Sequence, residues 1–177
     1  MINFKNSQLI FNTLMNGRVI NREVIINDVL VTNPLFTEIM DNLELYQRQY
    51  EMSGFKFIHS GNYVYITEDD KSKTDIAMKA QILLLLIGKY LNNNNFSLKK
   101  IKYPNIGLTR SDILGIQAMS ESIELLNRAG MGEDVYSQIK SILVERNILL
   151  EKTTSDAFIL SAIGNEFFDE LQPLYLF

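Results

Sequence analysis

The sequence contains no cysteine and only one histidine, His59. The missing thiols exclude a disulfide framework, cysteine-based zinc sites and a thiol nucleophile. A single histidine excludes a histidine-pair metal site, and no HExxH is present. Long apolar runs are also missing. The longest aliphatic run, residues 82–87, is six residues, where a bilayer span needs about 20. The opening MINFKNSQ lacks the apolar core of a signal peptide. These absences lead us to expect a soluble, non-secreted chain with no membrane segment.

What is present is ordinary globular material. Hydrophobic residues make up 46% and charged residues 21% of 177 residues. Those fractions support a packed core, and the length suits one domain or two small ones. The net charge of −4 is unevenly spread. Residues 71–110 hold eight bases and one acid, a net +7, which leaves −11 on the remainder. Such asymmetry bears on partners rather than on fold.

One plan is written twice along the chain. In the first half, Phe4, Leu9, Ile10, Phe11, Leu14 and Met15 suit a short helix ended by Gly17. Val19 and Ile20 suggest a brief extended step, and a weakly helical stretch is expected over 22–30. Pro34 is placed to open the next helix. Ile39, Leu43, Tyr46 and Tyr50 recur at helical spacing, so one long amphipathic helix is expected, ended by Gly54. FKFIHSGNYVYI then reads as a hairpin turning at Ser60-Gly61-Asn62.

The second half restarts with a strongly apolar helix over 74–91, ended by four asparagines at 92–95. Thr109 and Asp112 stand at near-capping-box spacing and open a helix or helix pair reaching Ala129. Gly130-Met131-Gly132 breaks the chain. Val135, Ile139, Ile142 and Leu143 define one more helical stripe, stopped at Asn147. Two apolar runs, 148–150 and 158–160, flank a polar turn and form a second hairpin. Ile163, Phe167 and Leu171 make a last helix expected to stop near Pro173. Helices followed by a hairpin, twice over, predict an α+β, mainly α chain of tandem winged-helix domains, 1–70 and 71–177.

Catalytic patterns are lacking. Glu68, Asp69 and Asp70 lack the spaced oxygens of a calcium loop. Gly130-Met131-Gly132 is no phosphate loop, and Ser161 lies in no GxSxG elbow. No enzyme and no cofactor are expected. DNA reading through the long helices is disfavoured by charge. Residues 38–51 carry four acids and one base, and residues 133–146 carry three acids and two bases. Phosphate repulsion opposes insertion of the first and gives the second no help. Lys99, Lys100, Lys102 and Arg110 remain as candidates for sequence-blind phosphate contact. For protein contact the candidates are Tyr63 and Tyr65 on the first wing, and the apolar end Leu174, Tyr175, Leu176 and Phe177.

The segment NPLFTEIMDNLELYQRQYEMSGFKFIHSGNYVYI, with IAMKAQILLLLIGKYL, GLTRSDI and VERNILLEKTTSDAFILSAIGNEFFDEL, resembles the MukE and MksE type of bacterial condensin subunit. The likeness spans most of the chain. It implies a tandem winged-helix subunit that dimerises and binds a kleisin, which bridges the heads of an SMC ATPase. It further implies a cytoplasmic, nucleoid-associated role in DNA organisation, chromosome segregation or plasmid defence, with DNA met non-specifically inside the complex. In such a complex the ATPase belongs to the SMC partner, and no residue here is catalytic. The competing reading is a stand-alone winged-helix transcriptional regulator.

Overall fold

A computed structural model describes residues 3–68 and 75–175. The chain is α+β and mainly helical, with small sheets. The first half begins with α1 (Phe4–Met15), whose N-terminus is capped by Asn3. The Asn3 side chain accepts from the Lys5 and Asn6 amides at 3.1 and 3.3 Å, satisfying donors that have no partner inside the helix. Strand β1 (Ile20–Asn21) follows, then a hairpin of β2 (Glu23–Ile26) and β3 (Val29–Thr32).

That hairpin replaces the helix expected over 22–30. Its two strands are rich in Val and Ile, which favour extended backbone. Asn27 and Asp28 both take positive φ, 51° and 60°. This is the turn whose twist matches a two-residue hairpin, and asparagine and aspartate tolerate it. Apolar spacing in this stretch fits a helix loosely, but the turn chemistry decides.

Asn33 caps α2 (Pro34–Asp41), with Pro34 in the first turn as expected. The long helix predicted through 38–51 is two helices, α2 and α3 (Leu43–Met52), broken at Asn42. Asn42 leaves helical geometry at φ −131°, and its side-chain amide donates to the Glu38 carbonyl at 3.0 Å. Asparagine competes with the backbone for such bonds and interrupts helices for that reason. Gly54 ends α3 at φ +84°, as expected. Strands β4 (Phe55–His59) and β5 (Tyr63–Glu68) form the expected hairpin, and β1 pairs with β5 to give the order β1-β5-β4.

The second half follows a similar order, without a counterpart of the β2–β3 hairpin. Helix α4 (Asp75–Asn93) buries Leu83, Leu84, Leu86, Ile87 and Leu91, and packs on several elements at once. A 3₁₀ turn (Leu98–Lys102) leads to β6 (Leu108–Thr109), α5 (Arg110–Gln117) and α6 (Ser120–Arg128). The Thr109–Asp112 capping box is formed. Helix α7 (Val135–Gln138) continues as a π-helical segment, Ile139–Val144. Strands β7 (Leu149–Lys152) and β8 (Ala157–Leu160) form the second hairpin, and the sheet order β6-β8-β7 matches that of the first half. In both sheets the early short strand pairs with the last one.

Helix α8 (Ala162–Tyr175) closes the chain. Ser161 caps it, its hydroxyl accepting from the Gly164 amide at 3.1 Å. The helix runs past Pro173 instead of stopping there. Pro173 lacks the N–H that would bond the carbonyl four residues back, but it stands two residues from the helix end, so only the terminal turn is affected. Each half has its own apolar cluster, one around Ile39, Tyr50 and Val64, the other around α4, Phe158 and Phe168. A third, small cluster of Val19, Tyr63 and Ile163 joins them.

Candidate interaction surfaces

The basic segment is built on the 3₁₀ turn. Ile101 is fully buried and anchors it, so the lysines splay to different surroundings. Lys100 turns inward. Its ammonium lies 2.7 and 2.8 Å from the two Asp112 oxygens and 4.2 Å from the centre of the Phe96 ring. Asp112 also accepts from the Thr109 amide at 2.8 Å, from its hydroxyl at 2.7 Å and from the Tyr90 hydroxyl at 3.4 Å. Burial pushes the Asp112 carboxyl up, but the Lys100 and Thr109 donors outweigh it and hold it below the usual carboxylate range.

Lys102 pairs with Asp169 on α8. Arg110 stacks over the Tyr136 ring at 4.4 Å and lies 3.7 Å from Asp156. Lys99 is exposed and has no ion-pair partner among the described residues. The four bases named from the sequence therefore do not form one open patch. One is built into the α5 cap, two are engaged by carboxylates, and Lys99 projects outward.

The helices that precede the two hairpins are not basic on their outer faces. In α3 the exposed residues are Glu44, Leu45, Arg48, Gln49, Glu51 and Met52. In α7 and its π-helical continuation they are Ser137 and Ser141, with Glu145 just beyond. Lys140, the one lysine there, donates to both Glu151 oxygens at 2.6 Å, and this bond raises its pKa.

Two tyrosines of the β4–β5 hairpin turn toward the second half. Tyr63 is buried against Val19 and Ile163, and Tyr65 packs partly buried beside Phe167. Burial, and then Glu166, push the Tyr63 phenol up to about 12. Tyr65 lines an apolar groove of about 620 Å³ between the halves. Leu14, Met15 and Ile66 supply one wall, and Ile76, Ala80, Leu84, Phe167, Leu171 and Leu174 the other. Thr67, Glu68, Gln81, Arg146 and Glu170 are polar residues of its lining. Leu174 is 72% exposed at this groove. Leu176 and Phe177 lie outside the described residues, as do Asp69 and Asp70. The side chain of Tyr175 does as well.

The sequence did not point to the groove, because its lining comes from five separate elements. It also did not point to an exposed stripe on α1 made by Phe4, Phe11 and Met15. These three share one helical face by their spacing, and Met15 carries that face to the groove. His59 is an exposed strand residue. Among the described residues no cluster of three or more histidines and carboxylates could hold a metal ion, and no helix is long and apolar enough to cross a membrane.

No curated protein matches the chain. The family model of condensin complex protein MksE matches residues 5–172, which take in both halves and the junction between them. The chain thus belongs to the MksE family and is a subunit of a condensin complex.

Proposed function

We propose that this subunit consists of two tandem winged-helix domains, 1–70 and 71–177, and that it works as a non-catalytic kleisin-binding part of an SMC complex. The observation that carries the reading is the path shared by the two halves: short strand, helices, then a hairpin whose last strand pairs with the first. Family membership supplies the condensin setting. In this reading the kleisin lays an apolar segment into the groove between the halves, and the exposed rim residue Leu174 meets it. The subunit acts as a homodimer, in the cytoplasm at the nucleoid. DNA is met non-specifically and only within the assembly, through Lys99 first, with Lys102 and Arg110 able to exchange their exposed carboxylate partners for phosphate. Lys100 is reserved for Asp112.

Co-expression with the kleisin and SMC ATPase tests the reading. A stable complex is expected, and Leu174→Glu or Ile76→Glu should weaken kleisin capture without unfolding the chain. A subunit that purifies free of both partners refutes it. Tight, site-specific duplex binding by the isolated chain would favour the stand-alone regulator instead. Within the complex, Lys99→Glu should lower the salt slope of DNA binding by about one unit.

A further inference from the structure

Both halves follow the helix before their hairpin with a residue in the left-handed conformation, but they use different residues. The first uses Gly54, with open space around it. The second uses Asn147 at φ +60°. Asparagine tolerates that conformation less well than glycine does, so its side chain needs another reason to be there. The amide supplies one. It donates to the Val19 carbonyl at 2.8 Å, across the junction into the first half.

The bond is returned. The Asn21 amide donates to the Asn147 carbonyl at 2.8 Å, and the Asn21 side-chain oxygen accepts from the Ile163 amide at the start of α8, at 3.3 Å. Asn21 is 2% exposed, so these bonds form away from water, where a lost partner is costly. Next to them the Val19 amide donates to the Arg146 carbonyl at 3.2 Å, and the Arg146 guanidinium donates to the Asn16 carbonyl at 2.7 Å. The π-helical segment ends at Val144, two residues before Arg146. Its wider winding shifts the phase of the residues that follow. A second tie lies at the β2–β3 turn, where the Asp28 carboxylate accepts from the Thr154 amide at 3.1 Å.

We propose that the clasp made by the Asn21 and Asn147 side-chain amides, each donating to a backbone carbonyl of the opposite half, with Arg146 beside it, locks the two halves into one rigid body, so that the groove between them is preformed and not opened by its occupant. The groove draws its walls from both halves, so its width follows from their relative placement. A preformed groove spares its occupant the cost of ordering the receptor. The inference concerns the body that carries the groove and stands whatever fills it.

The chain has no cysteine of its own, so a spin-label pair can be placed on the full chain at the exposed positions Lys56→Cys and Ser141→Cys. One narrow distance population is expected. Asn21→Ala with Asn147→Gly removes both side-chain amides of the clasp, together with the acceptor of the Ile163 amide, and glycine keeps the left-handed backbone. This double variant should broaden the distance distribution while helix content is unchanged. Protection of the Val19 and Ile163 amides from hydrogen exchange should fall by about tenfold. Asn147→Gly alone is the milder variant and should move both readouts the same way by less. A broad distribution in the unaltered chain would overturn the proposal. So would a double variant as narrow and as protected as its parent, which would leave the apolar contact of Val19, Tyr63 and Ile163 as the true fastening.

Discussion

Replacing Lys100 by methionine separates a structural lysine from a phosphate-binding one. The Lys100 side chain is 17% exposed and that of Asp112 is 6% exposed. Methionine keeps the length of the stem over Phe96 but leaves the Asp112 carboxylate without its counter-charge. Breaking a buried pair from one side costs about 3–5 kcal/mol. The lower end applies, because Thr109 and Tyr90 still donate to Asp112. For a chain of this size, about 3 kcal/mol corresponds to a loss of about 6–12 °C in Tm. The exposed neighbour Lys99→Met should stay within about 2 °C of the parent. Thermal unfolding followed by circular dichroism measures both.

The same pair sets a pH window. The folded Asp112 carboxyl lies below its ordinary value, so its contribution is present above the unfolded value of about 4 and is lost as pH falls through the folded one. The Tm gap between parent and Lys100→Met should therefore be full at neutral pH and close below about pH 4. Equal Tm values for Lys100→Met and Lys99→Met, or a gap that ignores pH, would refute the reasoning.

Three further outcomes follow from the same structure. Adding Asp112→Asn to Lys100→Met should recover part of the lost stability in urea denaturation, because no unpaired charge then remains buried while the amide oxygen can still accept from Thr109. Gly164→Ala should cost about 1–3 kcal/mol or more in the same assay, since its Cβ would sit 2.1 Å from the Ile148 carbonyl oxygen. In an alkaline absorbance titration, two of the eight tyrosines, Tyr50 and Tyr63, should resist ionisation until about pH 12. Both folded values are raised, so the stability they contribute is present below about pH 10 and lost as pH climbs through about 12.

Local signals made much of the fold legible. The helical stripe through Ile39 to Tyr50, the Ser60-Gly61-Asn62 turn, the Thr109–Asp112 cap and the stops at Gly54 and Asn147 all act within a few residues, where sequence spacing is spatial distance. The failures were local as well. The Asn27-Asp28 turn was overlooked because isoleucine and valine spacing passes for a weak helix. Asn42 was overlooked because apolar periodicity runs on through a break that costs a single turn. The charge argument against the long helices agrees with their outer faces, because exposed residues keep the charge the sequence assigns them.

Periodicity and turn chemistry settled most of the element types, and the resemblance of the quoted segments pointed to the condensin family that the family model shows. Those properties depend on neighbours along the chain. Which lysine is free, where the wing tyrosines point and where a groove opens were decided only by tertiary structure. Asp112 is 12 residues from Lys100, Asp169 is 67 from Lys102, and Asn147 is 126 from Asn21. Pairings across such separations are set by how the two halves pack, and no spacing rule along one strand or helix encodes them.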